Sequence, residues 1–600
     1  MLQTEEKLAV VDFGGQYTHL IARRIREFGI YSQIYQPEDK GFLSDNKVKG
    51  IILSGSPDSA DLQNQKIKFE ISQVSKPMLG ICFGHQLIAS CVGGKISKGG
   101  KREYGSTLAY LDTSSLLFKG MDKKQQAWMS HSDYVRELPP CFKTIASTKN
   151  IKIASFENAD KKLFGVQFHP EVTHTENGKQ ILKNFIEICN FNEEWNLSDL
   201  KNELISKIKK KAKDKKLFLL VSGGVDSLVV LALCLQAAPA DKIYPLHIDT
   251  GFMRKNESDE IISYLEKNGF KNLKLIKKEK KFLQSLQNVV DPEIKRAKIG
   301  KLFVESLNEE ISHLDTNKWM LVQGTIYPDT IESGGTEKSS KIKTHHNRVK
   351  EIDKLIEQGK VIEPLQELYK DEVRQLGSEL DLPQELINRQ PFPGPGLAIR
   401  VICSNGKIEA DYKAEKNKFS QIVSKYKLSG RILPVRSVGV QGDFRTYHHP
   451  ALIWNKEGDK IDWENIRSAA HGGINNLTEV NRVVYSIEPV MKKLNLGELY
   501  LTKDNLDLLR EVDRVVRKNL QNIKEIWQAP VIMLPLYNKS QGHVFVIRPV
   551  CSSDGMTADF YEMEPWLLRK IIKDVRDQIN ESALIFYDVT TKPPGTIEWE

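Results

Sequence analysis

Two short segments of the 600-residue chain place a cysteine, a histidine and a glutamate where they could act together. Cys82 lies in GICFGHQ, between an apolar strand pattern and a helix pattern, with Gly80 and Gly84 around it. This pattern predicts a nucleophile elbow, which exposes the side chain and points helix N–H groups at a developing oxyanion. GVQFHPE ends another apolar strand with His169 and Glu171 two residues apart, so both side chains lie on one side of an extended chain. The imidazole could then activate the sulfur while the carboxylate orients it, although an isolated cysteine is more often a buried structural residue.

A glycine turn forms the second candidate site. SGGVDS, residues 222–227, stands between a strand pattern at 217–221 and a helix pattern at 226–237. Its glycines allow close backbone approach, its successive N–H groups form an anion nest, and the helix dipole favours negative charge. The turn therefore predicts a phosphate site, with a chance SGG turn as the alternative. It lacks the Gly-Lys-Ser/Thr of the usual nucleoside triphosphatase loop.

The elements around these sites alternate between strands and helices. Short buried-strand patterns at 7–13 and 49–53 flank a helix pattern at 17–28, and a second round of alternation begins at 217. Alternation of this kind predicts two doubly wound domains, each with a mostly parallel sheet. The prolines and glycines of PFPGPGLA cannot continue a helix or a central strand, so a third, smaller α/β domain is expected after them. The predicted domains are 6–196, 197–400 and 401–600.

Composition limits the classes of protein that fit. The chain has 40% hydrophobic and 28% charged residues, and no apolar stretch approaches the roughly 20 residues that span a bilayer. Seven scattered cysteines without a CxxC pair favour a reducing cytoplasm over a disulfide framework or a zinc site. Much of the net charge of +9 lies in KIKKKAKDKK, residues 207–216, which we interpret as a solvated helix rather than a nucleic-acid surface because it has no interleaved aromatics.

The first 195 residues resemble class I glutamine amidotransferases. CFGHQ and HPE carry the resemblance together with LSGSPDS at 53–59 and REYG at 102–105. It implies that Cys82 forms a γ-glutamyl thioester, that His169 is the general base and acid, and that Glu171 orients it. The implied oxyanion and glutamine-binding residues are Gly55, Ser56, Gly84 and Gln86. The family usually has a glycine where this chain has Ser56, which is tolerated unless the backbone there needs a positive φ.

SGGVDS resembles the pyrophosphate loop of ATP pyrophosphatases, which adenylate an oxygen of their substrate and release pyrophosphate. The implied fold is that of the adenine-nucleotide α-hydrolases. The implied ATP-binding residues are Ser222, Gly223, Gly224, Val225, Asp226, Ser227, Leu228 and Asp249. Asp329 and Glu332, in LVQGTIYPDTIES, can share a helix face, and beside a triphosphate they suggest Mg²⁺ as the cofactor, with a solvated helix start as the alternative. No prosthetic group is expected.

The order of these motifs resembles the GMP synthetase family across nearly the whole chain. IKTHHN, KDEVRQLG, PFPGPGLAIRV, PVRSVGVQGD and the final KPPGTIEWE add to the likeness. It implies glutamine, ATP and XMP as substrates. The implied XMP ligands are Arg296, Asp443, Gln528, Lys592 and Glu598, and the implied lid residues are Lys343 and His345; a surface ion pair is the alternative for each.

The chain looks like the longer form of this family, with an insertion near 451–475 and 491–525, so a monomer and a homodimer both remain open. Two other functions are kept as alternatives. One is an amidotransferase that acts on a different ATP-activated nucleobase acceptor. The other is a non-catalytic relative that binds nucleic acid through the basic stretch.

Overall fold

The structure is a computed structural model. It describes residues 6–15, 17–56, 74–98, 103–131, 133–172, 174–192, 195, 197–267, 273–312, 318–327, 355, 358–407, 415–441, 444–455, 461–490, 494–537, 542–552, 558–579, 582–592 and 594–600. The chain divides into two compact units, 1–203 and 204–600. No described helix has the length and apolar character needed to cross a bilayer.

The first unit is built on a nine-stranded sheet in the order β2-β1-β3-β4-β11-β10-β9-β6-β7. Its strands, with the short pair β5 and β8, are β1 Lys7–Val11, β2 Ser32–Tyr35, β3 Val48–Leu53, β4 Met78–Ile81, β5 Lys95–Ser97, β6 Glu103–Leu111, β7 Lys124–His131, β8 Tyr134–Glu137, β9 Lys143–Thr148, β10 Ser155–Asn158 and β11 Leu163–Val166. The helices are α1 Thr18–Arg26, α2 Gly41–Ser44, α3 Phe83–Cys91 and α4 Gly178–Cys189, with a 3₁₀ turn at Leu116–Phe118.

The sheet of the first unit is parallel from β2 to β11 and antiparallel beyond it. The central strands are apolar and buried on both faces, as expected for parallel strands covered by helices. Strands β3, β4 and β11 run side by side, so their carboxyl ends meet at one edge of the sheet. The loops that carry the predicted chemistry leave from that edge.

Helix α5 (Leu197–Ala212) contains the division between the units. Leu204, Ile208 and Ala212 are buried on it, while the lysines at 209–211 are exposed. One apolar side and one charged side are what the interpretation as a solvated helix requires.

The second unit begins with a five-stranded parallel sheet in the order β14-β13-β12-β15-β16. Its strands are β12 Lys216–Leu220, β13 Ile243–Asp249, β14 Lys274–Lys277, β15 Trp319–Val322 and β16 Val361–Ile362. The helices of this part are α6 Val225–Ala237, α7 Glu257–Lys267, α8 Glu279–Ser285, α9 Pro292–Ile311, α10 Lys370–Glu379 and α11 Gln384–Ile387, with 3₁₀ turns at Ala240–Lys242 and Gly396–Arg400.

The rest of the second unit contains an eight-stranded mixed sheet, in which β19 pairs with β20 beside the path β18-β20-β21-β28-β25-β24-β22. Its strands and four short ones outside it are β17 Ser404–Asn405, β18 Leu428–Ile432, β19 Ser437–Gln441, β20 Phe444–Asn455, β21 Val480–Ser486, β22 Asn495–Leu496, β23 Glu498–Leu499, β24 Val531–Tyr537, β25 His543–Ile547, β26 Val550–Cys551, β27 Asp559–Phe560 and β28 Leu584–Asp588. The helices are α12 Lys416–Ser424, α13 Trp463–Asn476, α14 Lys503–Leu520 and α15 Pro565–Gln578.

One sequence expectation for this part differs from the structure. The sequence pattern at 432–440 predicts a single strand, but the structure has two strands here, β18 and β19, because the chain turns between Leu433 and Arg436. One hydrophobic cluster contains Ile299 as well as Val401 and Phe545, so the described apolar packing continues across the expected boundary at 400. A separate domain at 401–600 therefore stays a prediction.

Candidate active sites

Cys82 lies on a sharp turn between β4 and α3. Its φ of 54° is a left-handed value that residues with a Cβ rarely adopt. A Cβ on Gly84 would lie 2.3 Å from the carbonyl oxygen of Leu53, and one on Gly80 would lie 2.3 Å from the carbonyl oxygen of Gly84. The turn therefore needs glycine at both positions, and it presents the sulfur at the N-terminus of a helix.

His169 and Glu171 form a buried pair, with Nδ1 of the imidazole 2.7 Å from Oε1 of the carboxylate. The expected extended chain is wrong here: β11 ends at Val166 and both residues lie in the loop that follows. The loop is fixed from several sides. The His169 N–H donates to the carbonyl oxygen of Trp128 on β7, and Nε of Arg24 donates to the carbonyl oxygen of Glu171.

The electrostatics of the pair favour a charged imidazole. Burial disfavours that charge, but the Glu171 carboxylate and the Cys82 sulfur outweigh it and raise the pKa of His169 to about 10. The sulfur lies 3.7 Å from the carbonyl oxygen of Ser130 and 3.7 Å from Nε2 of Gln167. His169 therefore interacts with the Cys82 sulfur as well as with the Glu171 carboxylate, which is the arrangement that nucleophilic catalysis by a thiolate requires.

The predicted oxyanion and glutamine residues have different surroundings. A Cβ on Gly55 would lie 3.6 Å from Cε1 of His169 and 3.9 Å from Cβ of Cys82, so this backbone borders the catalytic pair. The N–H of Gly84 donates to the carbonyl oxygen of Ser54, so it is not available to an oxyanion. Ser56 is not among the described non-glycine residues with a positive φ, so its side chain does not strain the loop.

Gln86 is buried, and its amide donates to the carbonyl oxygen of Asp133 and to Oε1 of Gln167. Its amide N–H groups are therefore already bonded within the protein. Sequence reasoning did not single out Phe83. As the first residue of α3, its N–H has no carbonyl partner within the helix, and it directly follows the nucleophile. The position after the cysteine in a strand-turn-helix is the signal that could have identified it.

The glycine loop, residues 222–227, joins β12 to the N-terminus of α6. Gly223 has a φ of 82°, and a Cβ there would lie 2.2 Å from Cδ1 of Ile261, so only glycine fits. Hydroxyls close the turn: the Gly224 N–H donates to Oγ of Ser222, and Oγ of Ser227 donates to the Gly224 carbonyl oxygen. These contacts hold the turn at the N-terminus of α6, where helix N–H groups without a partner in the helix favour an anion.

Of the other predicted ATP residues, two are buried on α6 and one ends β13. Val225 and Leu228 are buried on α6, so they support the loop through packing. Asp249 ends β13, where Oδ1 accepts the N–H of Gly251. A Cβ on Gly324, just after β15, would lie 3.3 Å from Asp226. The carboxyl ends of β12, β13 and β15 therefore meet at this edge, where doubly wound sheets bind nucleotides.

Lys370, the first residue of α10, is a further residue that sequence reasoning missed. Its Nζ lies 2.5 Å from Oδ2 of Asp226 in the glycine loop, and it is 39% exposed. The other oxygen, Oδ1, is buried and makes no hydrogen bond. A lysine beside a phosphate loop supplies positive charge, and a free carboxylate oxygen suits a hard cation. Because 144 residues separate the pair, only the KDEVR motif itself could have indicated it.

The described XMP candidates lie on contacting segments. Glu598 forms two hydrogen bonds with Arg400, and a guanidinium nitrogen of Arg296 donates to the backbone carbonyl of Glu600. Lys592 pairs with Ala558 through the backbone. The amide of Gln528 donates to the carbonyl oxygen of Pro391, in the proline-glycine segment that leads to Arg400.

The remaining predicted residues fall outside the described part of the chain. They are the XMP candidate Asp443, the lid candidates Lys343 and His345, and the metal candidates Asp329 and Glu332.

Comparisons with known proteins show the family to which the chain belongs. The family Glutamine amidotransferase class-I matches residues 9–189, and the family GMP synthase C terminal domain matches residues 515–599. A probable GMP synthase (glutamine-hydrolyzing) of Leptospira interrogans is 43% identical and covers 99% of each chain. The GMP synthase (glutamine-hydrolyzing) of Clostridium tetani is 42% identical, covering 98% of its own length but 80% of this chain. The crystal structure of a protein from Thermoplasma acidophilum, assigned as a GMP synthase subunit, is 32% identical with a TM-score of 0.29, and covers 31% of this chain and 95% of that one.

The α/β fold, the cysteine elbow and the family match define a class I glutamine amidotransferase domain at residues 9–189. The whole chain belongs to the glutamine-hydrolysing GMP synthase family, because its relatives match over nearly their full lengths. The predictions of an α/β fold and of a glutamine-hydrolysing, GMP-forming ligase are confirmed. Part of this chain has no counterpart in the Clostridium protein, as its 80% coverage shows.

Proposed function

We propose that this enzyme makes GMP from XMP with two sites, one in each compact unit. In the first, Cys82 and the His169–Glu171 pair release ammonia from glutamine. In the second, the glycine loop binds ATP, which adenylates XMP. The observation that carries the proposal is Cys82 at a φ of 54° beside an imidazole whose pKa is raised to about 10, within a chain of this family.

In the ammonia-releasing step, the Cys82 sulfur attacks the carboxamide carbon of glutamine. The carbonyl oxygen becomes an oxyanion that the N–H of Phe83 and the backbone at Gly55 are placed to meet. His169 gives its proton to the leaving nitrogen, so that ammonia departs and a γ-glutamyl thioester remains. It then takes a proton from water, which hydrolyses the thioester to glutamate and restores the thiolate. Glu171 holds the imidazole and balances its charge in both halves of the reaction.

In the synthetase step, the xanthine O2 of XMP attacks the α-phosphorus of ATP, and pyrophosphate leaves. Ammonia then attacks C2, and AMP leaves as a much better leaving group than the oxygen it replaced. The glycine loop and Lys370 would hold the phosphates. Mg²⁺ would be held by phosphate oxygens and by the unpartnered Oδ1 of Asp226, with Asp329 and Glu332 as further candidates, and it would neutralise the charge of the triphosphate.

The XMP site is assigned to Arg296, Gln528, Lys592, Glu598 and Asp443. Cationic side chains suit the dianionic phosphate of a nucleotide, and a carboxylate and an amide suit the edge of the base. Lys343 and His345 are assigned to a lid that would keep water from the adenylyl intermediate. Residues 6–196, 197–400 and 401–600 are the proposed amidotransferase, ATP pyrophosphatase and XMP-binding regions. Monomer and homodimer both stay open, and the cytoplasm is the proposed compartment.

The decisive experiment measures GMP formation from XMP and ATP with glutamine or with ammonium as the nitrogen source. Cys82→Ala should abolish glutamine-driven synthesis and leave ammonium-driven synthesis largely intact. Cys91→Ala, at the other end of α3, is the matched control and should keep both. Loss of both activities in Cys82→Ala would mean that the two-site proposal is wrong.

The second site is tested in the same assay. Asp226→Ala should remove synthesis from either nitrogen source, since both need activated XMP. Asp241→Ala changes an exposed aspartate just before the start of β13, at the end of the strand away from Asp249, and should have little effect. Full synthesis by Asp226→Ala would reject the assignment of the glycine loop to ATP.

A further inference from the structure

Arg400 is a buried cation whose guanidinium donates two hydrogen bonds to the carboxylate of Glu598. It ends the 3₁₀ turn Gly396–Arg400, and its side chain is 1% exposed. Nε lies 3.1 Å from Oε2 of Glu598 and Nη2 lies 2.8 Å from Oε1, a bidentate pair. The Glu598 side chain is 18% exposed, so only the carboxylate half of the pair reaches the surface.

The opposite side of the Arg400 guanidinium is held by buried groups. Nη1 lies 3.7 Å from Oδ1 of Asp513 on α14, and the Phe392 ring lies 5.2 Å from the guanidinium carbon. Asp513 is itself 1% exposed and accepts a hydrogen bond of 2.7 Å from Arg517. Arg254, in the loop that follows Asp249, lies 3.9 Å from the same carboxylate. Arg400 is therefore fixed between a buried carboxylate and the tail.

This arrangement determines the orientation in which the Glu598 carboxylate meets a ligand. Burial opposes charge on the guanidinium, but Glu598 and Asp513 raise the pKa of Arg400, so it stays charged. A buried charge of this kind is costly unless its partners remain paired with it. Arg400 therefore holds the Glu598 carboxylate in one orientation, and because each of its oxygens already accepts an N–H of the guanidinium, it presents acceptor lone pairs to a ligand.

We infer that Arg400 is a positioning residue that presents Glu598 as a hydrogen-bond acceptor to an N–H of the xanthine ring. The inference rests on the proposed assignment of Glu598 to XMP, and it adds how the chain makes that residue selective. A ring N–H can donate a hydrogen bond to a carboxylate oxygen that is held in place. A base with an unprotonated ring nitrogen at this position would instead bring its lone pair against a lone pair of the carboxylate, so it would bind less well. Asp513 and Arg254 connect this position to the ATP side of the same unit.

The test uses ammonium-driven GMP formation by the full chain, which does not depend on Cys82. Steady-state constants for XMP and for ATP are measured for R400Q, E598Q and the double variant. Each single variant should lower kcat/KM for XMP about tenfold to a hundredfold, as expected for a lost hydrogen bond to a charged group, with KM for ATP within about twofold of wild type. The double variant should be no worse than about threefold below either single variant, because Arg400 acts through Glu598.

Two further variants separate positioning from folding. R400K keeps the charge but cannot pair bidentately, so it should fall between wild type and R400Q. R576Q removes a comparable bidentate contact, to Glu488, and should leave the XMP constants unchanged. The midpoint of thermal unfolding is measured for every variant. If R400Q does not fold, R400K and D513N decide, and both should lower kcat/KM for XMP at least threefold.

The outcomes distinguish this inference from the proposed function. If E598Q keeps wild-type kcat/KM for XMP, the assignment of Glu598 to the substrate fails. If E598Q is impaired while R400Q, or R400K and D513N, keep the wild-type value, only the positioning role fails. Losses that multiply in the double variant would mean that Arg400 acts independently of Glu598, which also overturns the inference.

Discussion

Nδ1 of His169 lies 2.7 Å from Oε1 of Glu171, although strand β11 has ended three residues before the histidine. The contact is made by a loop in which both side chains are nearly inaccessible, at 5% and 1% exposure. Burial lowers the pKa of His169, but the Glu171 carboxylate and the Cys82 sulfur together outweigh it and raise that pKa to about 10. In the imidazolium, the Nδ1 proton is donated to Glu171, so the Nε2 proton is the one that the leaving nitrogen of glutamine could take.

Glu171→Gln should therefore lower glutaminase activity by about 10²- to 10⁴-fold, because an amide can orient the ring but cannot balance its charge. The measurement is glutamate release in the presence of XMP and ATP. Ammonium-driven GMP formation should stay near wild type. Parallel losses in both reactions would instead point to a folding defect.

The same pair predicts how stability depends on pH. The pKa of His169 is raised in the folded state, so its charged form contributes stability fully below about pH 6.5, and this is lost as the pH rises towards about 10. The excess stability of wild type over Glu171→Gln should therefore be largest near pH 6 and shrink towards pH 10. Hydrogen exchange of the β11 amides in wild type and variant measures this difference in stability at each pH. A difference that grew with pH would show that His169 is neutral in the folded protein.

The buried strands and the glycine turn can be predicted from the sequence, because each depends on the pattern of neighbouring residues. KLAVV at Lys7–Val11 and KLFLL at Lys216–Leu220 are continuous apolar runs, which suit strands buried on both faces of a parallel sheet. Helix α6 follows its glycine turn directly, so residues 222–227 predict a phosphate loop without reference to any distant contact.

Other features depend on contacts that no local pattern records. Strands β6 and β7 pair with Glu103 opposite His131, but their sequences do not specify an antiparallel partner. Lys370 meets Asp226 across 144 residues, and Arg400 meets Glu598 across 198. The placement of His169 and Glu171 failed for a related reason: the end of a strand shifts by a few residues when tertiary contacts, here to Trp128, hold the loop.

His85 should make the first unit sensitive to acid. It is completely buried, with its ring 4.7 Å from that of Phe156, and burial lowers its pKa to about 3. The unfolded chain takes up a proton near pH 6.5 but the folded chain does not, so stability falls as the pH drops from about 6.5 towards 3. His85→Met has no imidazole to protonate in the unfolded chain. The free energy of unfolding of the variant, relative to that of wild type, should therefore be about 2 kcal/mol higher at pH 5 than at pH 8.

Hydrogen exchange of β4 and α3 amides at the two pH values measures that change. His174→Met, which alters a histidine at an exposed position, is the control and should show a much smaller dependence. An equal effect of pH on His85→Met and wild type would mean that His85 is charged in the folded state.

Ser56→Gly tests the departure from the family pattern at the cysteine site. Ser56 is not among the described residues with a positive φ, so a glycine there relieves no strain. We expect glutaminase turnover within about twofold of wild type, and slightly lower stability because glycine loses more backbone entropy on folding. A severalfold rise in the rate of glutamate release would show that the serine side chain does strain the oxyanion loop.

Lys370→Gln tests the cation that pairs with Asp226 in the proposed phosphate loop. Its Nζ is 2.5 Å from Oδ2 of Asp226, and because the lysine is 39% exposed it can turn towards a phosphate when ATP enters. Loss of this charge should raise KM for ATP and lower kcat with either nitrogen source, by about tenfold or more in kcat/KM, while the glutaminase residues stay intact. Lys301→Gln, on the exposed face of α9, is the matched control and should change neither constant. If Lys370→Gln left KM for ATP and kcat unchanged, Lys370 would be a partner of Asp226 only, and the positive charge at the phosphates would have to come from elsewhere in the second unit.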